Sequence, residues 1–228
     1  MPNHGQAKKN KKLEHELEDL QSLTSVDSFV VGDEEIFFNI ETLVQPEGER
    51  FQAMLCKYKV RLSIPTGYSR KLPKVYLLDW TPPDGYDHVN RDGSLCLEIP
   101  SVQRKIFERK PCLVGFVEGL LLPNLYSIEY YKKHKDYPFD QRAHGFDGIY
   151  KYHKKDLQGF SISNEKQCYD LLRSLYNYRG HHDCYCGSGL KVRNCHGDRI
   201  RQFTRDRNLR HYYYDIKQYE DEKKRKKD

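Results

Sequence analysis

The segment from Met54 to Ile64 most strongly limits the folds open to this chain, because its apolar residues fall at every second position. A β-strand points successive side chains to opposite faces, so the alternation predicts a strand with one buried face. Two shorter apolar runs, Phe29–Val31 and Ile36–Phe38, flank a Gly-Asp turn at 32–33 and predict two more strands. A further strand is predicted over Val75–Leu78.

Apolar residues at helical spacing stand before and after these strands. Leucines from Leu13 to Leu23 predict a short amphipathic helix at the N-terminal end. Leu113 to Leu121 predict a second helix closed by Pro123, and Cys168 to Leu175 predict a third that ends before Gly180. Strands grouped together and followed by helices indicate an α+β fold rather than a parallel βαβ series.

Length and composition define the class of protein. The 228 residues carry 39 Lys and Arg against 33 Asp and Glu, a net charge of +6, which suits one principal domain with small additions. No run approaches the 18 or so apolar residues of a membrane span. The segment 1–12 is polar and Lys-rich, so we expect a disordered basic leader, no secretory signal and a cytoplasmic protein.

Cys96 lies in a segment that can present a thiol for chemistry. Leu95, Leu97 and Ile99 alternate with Ser94, Cys96 and Glu98, so in an extended chain the first three are buried and Cys96 faces outward. Such a cysteine can act as a nucleophile toward a large partner.

Other polar residues of this segment can assist that thiol. The amide of Asn90 can stabilise the oxyanion formed when an amine attacks a thioester, and Glu98 and Asp92 are the nearest acids that can orient that amine. On residue chemistry alone, the simpler interpretation is a structural hairpin with a packed cysteine and with Asn90 as a turn residue.

The pattern around Cys96 also resembles a known family. His88-x-Asn90, then Gly93, then Leu95-Cys96-Leu97 is similar to the histidine-proline-asparagine and isoleucine-cysteine-leucine signature of ubiquitin-conjugating enzymes, with Val89 in place of the proline. The resemblance covers residues 13–178. It implies an antiparallel β-meander flanked by helices, and an enzyme that carries a partner's C-terminus as a thioester on Cys96, with Asn90 and His88 beside it.

A second segment resembles the prokaryotic members of that family. Pro138-Phe139, then Arg142, His144-Gly145 and Gly148-Ile149 are similar to a block of prokaryotic ubiquitin-conjugating-like enzymes, some of which occur in anti-phage defence systems. The resemblance implies a protein substrate with a C-terminal glycine, either a ubiquitin-like protein or a cyclic-oligonucleotide synthase. It also implies an activating enzyme supplied in trans. His144 is a candidate proton shuttle, and the alternative is that His144-Gly145 is a structural turn.

The strongest local motif is a cluster of Cys and His residues near the C-terminal end. Three of the seven cysteines fall within twelve residues, which in a reducing compartment indicates metal ligation rather than disulfides. Cys184, Cys186, Cys195 and His196 supply three thiolates and one imidazole, a closed tetrahedral set for a structural Zn²⁺ ion. The run over 180–199 resembles the SEC-C motif, a zinc-binding module associated with protein contacts.

The remaining residues, 200–228, form a charged tail with an aromatic stripe at helical spacing, so we expect a partly helical segment that packs lightly on its domain. Basic and aromatic residues together can bind nucleic acid, but acidic residues are interspersed and this partner is not the favoured one. The alternative to a conjugating enzyme is therefore a non-catalytic protein-binding or nucleic-acid-binding module stabilised by zinc. The sequence identifies neither the donor protein nor the acceptor.

Overall fold

The computed structural model describes residues 4–23, 26–31, 35–48, 50–139, 143–205 and 209–226. It is a mixed α+β structure, as predicted, and it divides into two compact units. The first unit comprises residues 1–98 and 106–140, and the second comprises residues 99–105 and 141–228. None of the helices in the described part of the chain is long and apolar enough to cross a membrane.

The described part of the chain contains four β-strands and eight α-helices. The strands are β1 (Val26–Val31), β2 (Glu35–Val44), β3 (Met54–Ser63) and β4 (Lys74–Leu78). The helices are α1 (His4–Gln21), α2 (Pro100–Phe107), α3 (Leu113–Phe116), α4 (Leu122–His134), α5 (Gly145–Asp156), α6 (Glu165–Tyr176), α7 (Gly197–Thr204) and α8 (Arg210–Arg225). Short 3₁₀ turns lie at Gln158–Phe160 and Val192–Asn194.

The sheet of the first unit is an antiparallel meander in the order β1-β2-β3-β4. The alternation predicted for Met54–Ile64 is confirmed, because Cys56, Tyr58, Val60 and Leu62 of β3 are buried while the residues between them are exposed or half-buried. In the pairing of β3 with β2, Tyr58 lies opposite Ile40. The turn predicted at 32–33 lies outside the described residues.

Helix α1 differs from its prediction at its beginning. The sequence predicts a disordered leader over residues 1–12, but the backbone is helical from His4 onward. Leu20 of α1 is fully buried in the core of the first unit. Half-buried Leu13 and Leu17 pack against the same core, as the amphipathic spacing predicts.

The helix predicted to end at Pro123 continues well past it. A π-helical turn, Val117–Leu121, joins α3 to α4, and Pro123 lies at the first turn of α4. A proline in the first turn of a helix has no amide bond to lose, so it does not stop the helix here. Leu125, Tyr126 and Ile128 of α4 are fully buried as a result.

The second unit has its own apolar core. Leu171 and Leu172 of α6 lie in this core with Cys184, Tyr185 and Val192 of the Cys/His segment. The segment expected as a separate zinc module over 180–199 therefore shares its core with residues of 141–176, although the sequence predicts that those residues belong to the domain of residues 13–178. The units divide the chain near residue 140, not near 178.

Helix α8 also belongs to this core. Tyr212 and Asp215 are completely buried, and Ile216 and Tyr219 are nearly so. The expectation of a lightly packed tail over 200–228 is wrong. Most of its aromatic stripe faces inward, where α8 packs against α5 and α6, but Tyr213 of the stripe is exposed.

Candidate active site and metal centre

Cys96 lies in a loop that main-chain hydrogen bonds close on itself. The amide of Cys96 donates to the carbonyl of His88 at 3.0 Å, and the amide of Asn90 donates to the carbonyl of Ser94 at 2.7 Å. Gly93 has a φ of +81°, a conformation that glycine adopts without strain, and this allows the tight turn between the two arms. The loop is fixed to the sheet by the amide of Leu95, which donates to the carbonyl of Val75 of β4 at 2.8 Å.

The exposure predicted for this loop is only partly correct. Leu95 and Ile99 are buried and Cys96 and Glu98 are half-buried, but Leu97 is also only half-buried, and Ser94 is 2% exposed instead of facing solvent. The Ser94 hydroxyl donates to Asp92 at 2.6 Å and accepts from the Asn90 amide at 3.1 Å. The loop is a turn with a single bridge between Val89 and Leu95, so strict strand alternation does not apply to it.

The side chain of Asn90 is directed into the loop. Its Nδ2 donates both to Ser94 Oγ and to the carbonyl oxygen of Leu95, the latter at 3.2 Å. The amide group has two N–H bonds, and this geometry uses both of them within the loop. Asn90 therefore positions the residues next to Cys96, whereas a role as oxyanion donor requires these bonds to break.

Asp92 also has a positioning role in this geometry. One carboxylate oxygen accepts from the amide and hydroxyl of Ser94, and the other accepts from Lys74 Nζ at 2.6 Å. Partial burial alone would raise the pKa of Asp92, but these hydrogen bonds outweigh it and lower that pKa to about 2. Such a weak base, already bonded to Ser94 and Lys74, is poorly suited to deprotonate an amine.

The environment of Cys96 keeps its thiol protonated. Burial, and to a lesser extent the carboxylates of Glu98 and Asp87, raise the pKa of Cys96 to about 11. Cys56 and Cys168 are fully buried, and burial raises the pKa of each to about 12. Cys96 differs from them because it is only half-buried, and Cys112 is the other half-buried cysteine of the first unit.

His88 lies against aromatic rings next to this thiol. Its ring is 5.1 Å from that of Tyr137 and 5.8 Å from that of Tyr86, and its Nε2 is 3.8 Å from Oδ1 of Asp87. The hydroxyl of Tyr137 also donates to Asp87 at 2.6 Å. Burial, with this hydrogen bond, raises the pKa of Tyr137 to about 12. His88 supplies its main-chain carbonyl to Cys96, and its ring belongs to an aromatic cluster.

Two residues near Cys96 were not identified from the sequence. Asn124 of α4 is buried and donates from Nδ2 to the carbonyl of Cys96 at 3.4 Å, while its Oδ1 has no hydrogen-bond partner among the described residues. The hydroxyl of buried Tyr86 has no partner there either, and burial followed by nearby charges, Cys96 among them, raises its pKa. An asparagine between Leu121 and Leu125, on a buried helix face, is the signal that could have revealed Asn124.

His144 is placed in the second unit. It is exposed and directly precedes α5, with φ and ψ of −77° and 158°. Arg142, from the same predicted block, lies outside the described residues. The role of His144 as a proton shuttle stays a prediction.

The four predicted metal ligands come together in the second unit. The donor atoms of Cys184, Cys186, Cys195 and His196 all lie within 4.8 Å of one another. Nδ1 of His196 is 3.2 Å from the sulfurs of both Cys184 and Cys195, and the sulfurs of Cys186 and Cys195 are 3.6 Å apart. A tetrahedral site with metal–sulfur bonds of about 2.3 Å and a metal–nitrogen bond of about 2.0 Å requires edges of roughly 3.5–3.8 Å. The cluster can therefore hold a metal ion.

Loop geometry brings these ligands together. Gly187 and Gly189 have φ values of +78° and +75°, which allow the chain to turn back within a few residues. The amide of Cys184 donates to the carbonyl of Leu190 at 2.9 Å and closes the loop. Burial would raise the pKa of Cys186, but hydrogen bonds from the hydroxyl and amide of Ser188 outweigh it and lower that pKa to about 6. A sulfur that ionises readily is a good metal ligand.

Comparisons of this chain with models of protein families, with curated proteins and with solved structures find no match in any of the three.

Proposed function

We propose that the first unit is a ubiquitin-conjugating-like transferase that carries the C-terminus of a partner protein as a thioester on Cys96. The observation that supports it is the placement of half-buried Cys96, whose main-chain amide donates to the carbonyl of His88 and whose main-chain carbonyl accepts from the Asn124 amide. The sequence order of His88, Asn90 and Cys96 is the order of the family signature that the loop resembles.

The proposed reaction has two steps. The sulfur of Cys96 attacks the thioester carbonyl of a loaded activating enzyme; the new carbon–sulfur bond forms, the old one breaks, and the proton of Cys96 passes to the departing thiolate. An amine then attacks the new thioester, an amide bond forms, and the sulfur leaves and regains a proton from the ammonium group. Glu98, near enough to raise the pKa of Cys96, is the acid best placed to orient that amine.

A raised pKa is compatible with this carrier role. When a thiol exchanges with a thioester, the acyl group moves preferentially to the thiol with the higher pKa. The thiol with the lower pKa is released as its thiolate. A thiol with a pKa of about 11 therefore retains an acyl group taken from a more acidic thiol. The same property makes Cys96 slow toward small electrophiles, which protects it between rounds of loading.

The test uses a chemical acyl donor, so it does not depend on an identified partner. A synthetic peptide ending in glycine, activated as its 2-mercaptoethanesulfonate thioester, is incubated with the full chain and the mass of the protein is followed. We expect a slowly formed adduct that hydroxylamine removes and that peptide mapping locates at Cys96. Cys96→Ser should abolish the thiol-sensitive adduct, while Cys112→Ser, which changes the other half-buried cysteine of the first unit, should keep it. Loading that follows Cys112 instead of Cys96 contradicts the proposal.

A second candidate is a non-catalytic binding module. It is favoured by the observation that both amide hydrogens of Asn90 are used inside the loop, as in a purely structural turn. If this candidate is correct, Cys96→Ser folds normally, and neither Cys96→Ser nor Cys112→Ser acquires an acyl group from the peptide thioester. The natural donor, a ubiquitin-like protein or a nucleotidyltransferase with a C-terminal glycine, would then be a binding partner rather than a substrate.

For the second unit we propose a structural Zn²⁺ ion held by the four ligands of the Cys/His cluster. Three sulfurs and one imidazole match the preference of zinc, and four protein ligands leave no position for a substrate. Elemental analysis of protein purified without chelators tests this, and we expect about one zinc per chain. Cys195→Ser should lower that ratio, whereas Cys168→Ser, at a buried cysteine outside the cluster, should not.

A further inference from the structure

Charge is distributed unequally between the two units. The first unit contains 17 Lys and Arg against 21 Asp and Glu, a net charge of −4. The second contains 22 against 12, a net charge of +10. The modest net charge of the whole chain therefore hides a strongly basic unit, and a domain of this kind attracts polyanions.

Part of this charge is gathered on one surface beside the Cys/His cluster. The amide of Arg193 donates to the carbonyl of Gly180 at 3.0 Å, so two chain segments run side by side here. Nη1 of Arg201 donates to the hydroxyl of Tyr178 at 2.8 Å, and its guanidinium lies 5.3 Å from the centre of that ring. We call this the Tyr178 surface; it consists of Tyr178, Arg179, His181, His182, Arg193 and Arg201.

Two arginines of the Tyr178 surface are available for a ligand. Arg179 and Arg193 are exposed, and neither has a carboxylate within salt-bridge distance among the residues that the structure describes. Arg201, in contrast, forms an ion pair with Asp198. The surface thus carries two guanidinium groups that can bind phosphate in bidentate geometry.

An exposed pair of aromatic rings includes Tyr176, which lies close to Arg179 along the chain. Tyr176, the last residue of α6, is 45% exposed and precedes Tyr178 by two positions. Its ring centre is 5.6 Å from that of Tyr213 of α8, which is 44% exposed. Most other tyrosines of this unit are buried or half-buried, so this exposed pair is unusual within it. Exposed rings beside cationic groups provide the stacking platform on which bases of a single strand bind.

We propose that the second unit binds single-stranded nucleic acid, with Arg179 and Arg193 contacting phosphates and Tyr176 and Tyr213 stacking on bases. Stacking on a ring requires an unpaired base, so this arrangement favours a single strand over a duplex. The interaction does not involve Cys96, and it is independent of the proposed transferase activity.

The test measures binding of the full chain to fluorescein-labelled oligo(dT) and oligo(U) of about 20 nucleotides. Fluorescence anisotropy is recorded between 50 and 300 mM salt, and the logarithm of the association constant is plotted against that of the salt concentration. Each phosphate contact contributes about 0.7 to the slope for a single strand, so Arg179→Gln with Arg193→Gln should lower the slope by about 1.4. Tyr176→Ala should weaken binding by between about fivefold and about 150-fold, while Tyr176→Phe keeps wild-type affinity.

Matched controls separate this surface from the overall charge. Lys154→Gln with Lys155→Gln removes the same charge from exposed positions of α5 and should leave the slope nearly unchanged. Cys96→Ser should bind like wild type. The proposal is overturned if no strand binds at 50 mM salt, if a duplex or polyglutamate binds as tightly as the single strand, or if the α5 control lowers the slope as much as the arginine pair. Zinc content and circular dichroism verify that each variant is folded.

Discussion

Cys96 should react slowly with small alkylating agents, and its reactivity should keep rising to unusually high pH. Burial and the carboxylates of Glu98 and Asp87 raise its pKa from an ordinary value of 9.0 to about 11. Only the thiolate reacts, so this pKa determines the pH dependence of the rate. The prediction concerns the wild-type chain and the variant Glu98→Gln, in which one of the two carboxylates becomes neutral.

The size of the effect can be worked out from this pKa. At pH 7 a thiol with a pKa of 9.0 is about 1% ionised, and one with a pKa of 11 is about 0.01% ionised, a hundredfold difference. The more basic thiolate is intrinsically more nucleophilic by about sixfold to tenfold over two pKa units. The net rate for Cys96 should therefore be slower than that of an ordinary thiol by roughly tenfold, and partial burial slows it further.

Iodoacetamide labelling measured by mass spectrometry of the Cys96 peptide tests this reasoning. Between pH 7 and pH 10 the logarithm of the rate should rise by about one per pH unit without a plateau, since the pKa lies above this range. Glu98→Gln should accelerate labelling but leave the midpoint above 9.0, because burial is the largest cause of the shift. Asp79→Asn, at an exposed carboxylate of the same unit, is the matched control. A plateau near pH 9 in the wild-type chain would refute the argument.

Three further predictions concern other parts of the molecule. Burial lowers the pKa of His211 from 6.5 in the unfolded chain to about 4 in the folded protein. The unfolded state therefore binds the proton first, and the stability of the fold decreases as the pH drops from 6.5 to 4. Urea unfolding should show a loss of about 2 kcal/mol between pH 7.5 and pH 5 that His211→Gln diminishes, and an equal loss in the variant would contradict this. Metal chelation should reduce the protection of amides from hydrogen exchange in α6 as well as in the loop of Cys184 and Tyr185, because the helix and the loop share one apolar core. Loss of protection confined to residues 180–199 would contradict this. Asn90→Ala should slow loading of Cys96 and transfer to an amine by similar factors if Asn90 positions the loop, and a larger effect on transfer would instead support an oxyanion role.

The strands were the most predictable part of the fold. The alternation over Met54–Ile64 predicted β3 to within one residue, since a one-sided core imposes a period of two on the sequence. The α+β arrangement followed from the order of the elements. Pro123 was misread as a helix end, because its effect depends on whether it falls in the first turn of a helix, and the π-helical turn before it has no sequence pattern.

The candidate site was predicted to the extent that it is local. Cys96 and Asn90 lie six positions apart, so the turn that brings them together can be read from the intervening residues. Asn124 reaches the carbonyl of Cys96 across 28 positions, through the packing of α4, and no local pattern contains that contact. The four metal ligands were identified for the same reason as Cys96, since they share one short loop.

The environments of the cysteines argue for separate roles of the two units. In the second unit, the donor atoms of four ligands converge, which favours a metal ion; within this set hydrogen bonds lower the pKa of Cys186 to about 6, while burial raises that of Cys184 to about 11. In the first unit, burial and carboxylates raise the pKa of Cys96 to about 11, which opposes ionisation of this thiol at neutral pH. The protonated thiol of a half-buried cysteine can react efficiently only when a partner brings an activated acyl group and its leaving thiolate accepts the proton. We therefore expect the chemistry of Cys96 to depend on a loaded partner and to be independent of zinc, so that chelation lowers the stability of the second unit while acyl transfer from a peptide thioester to Cys96 continues.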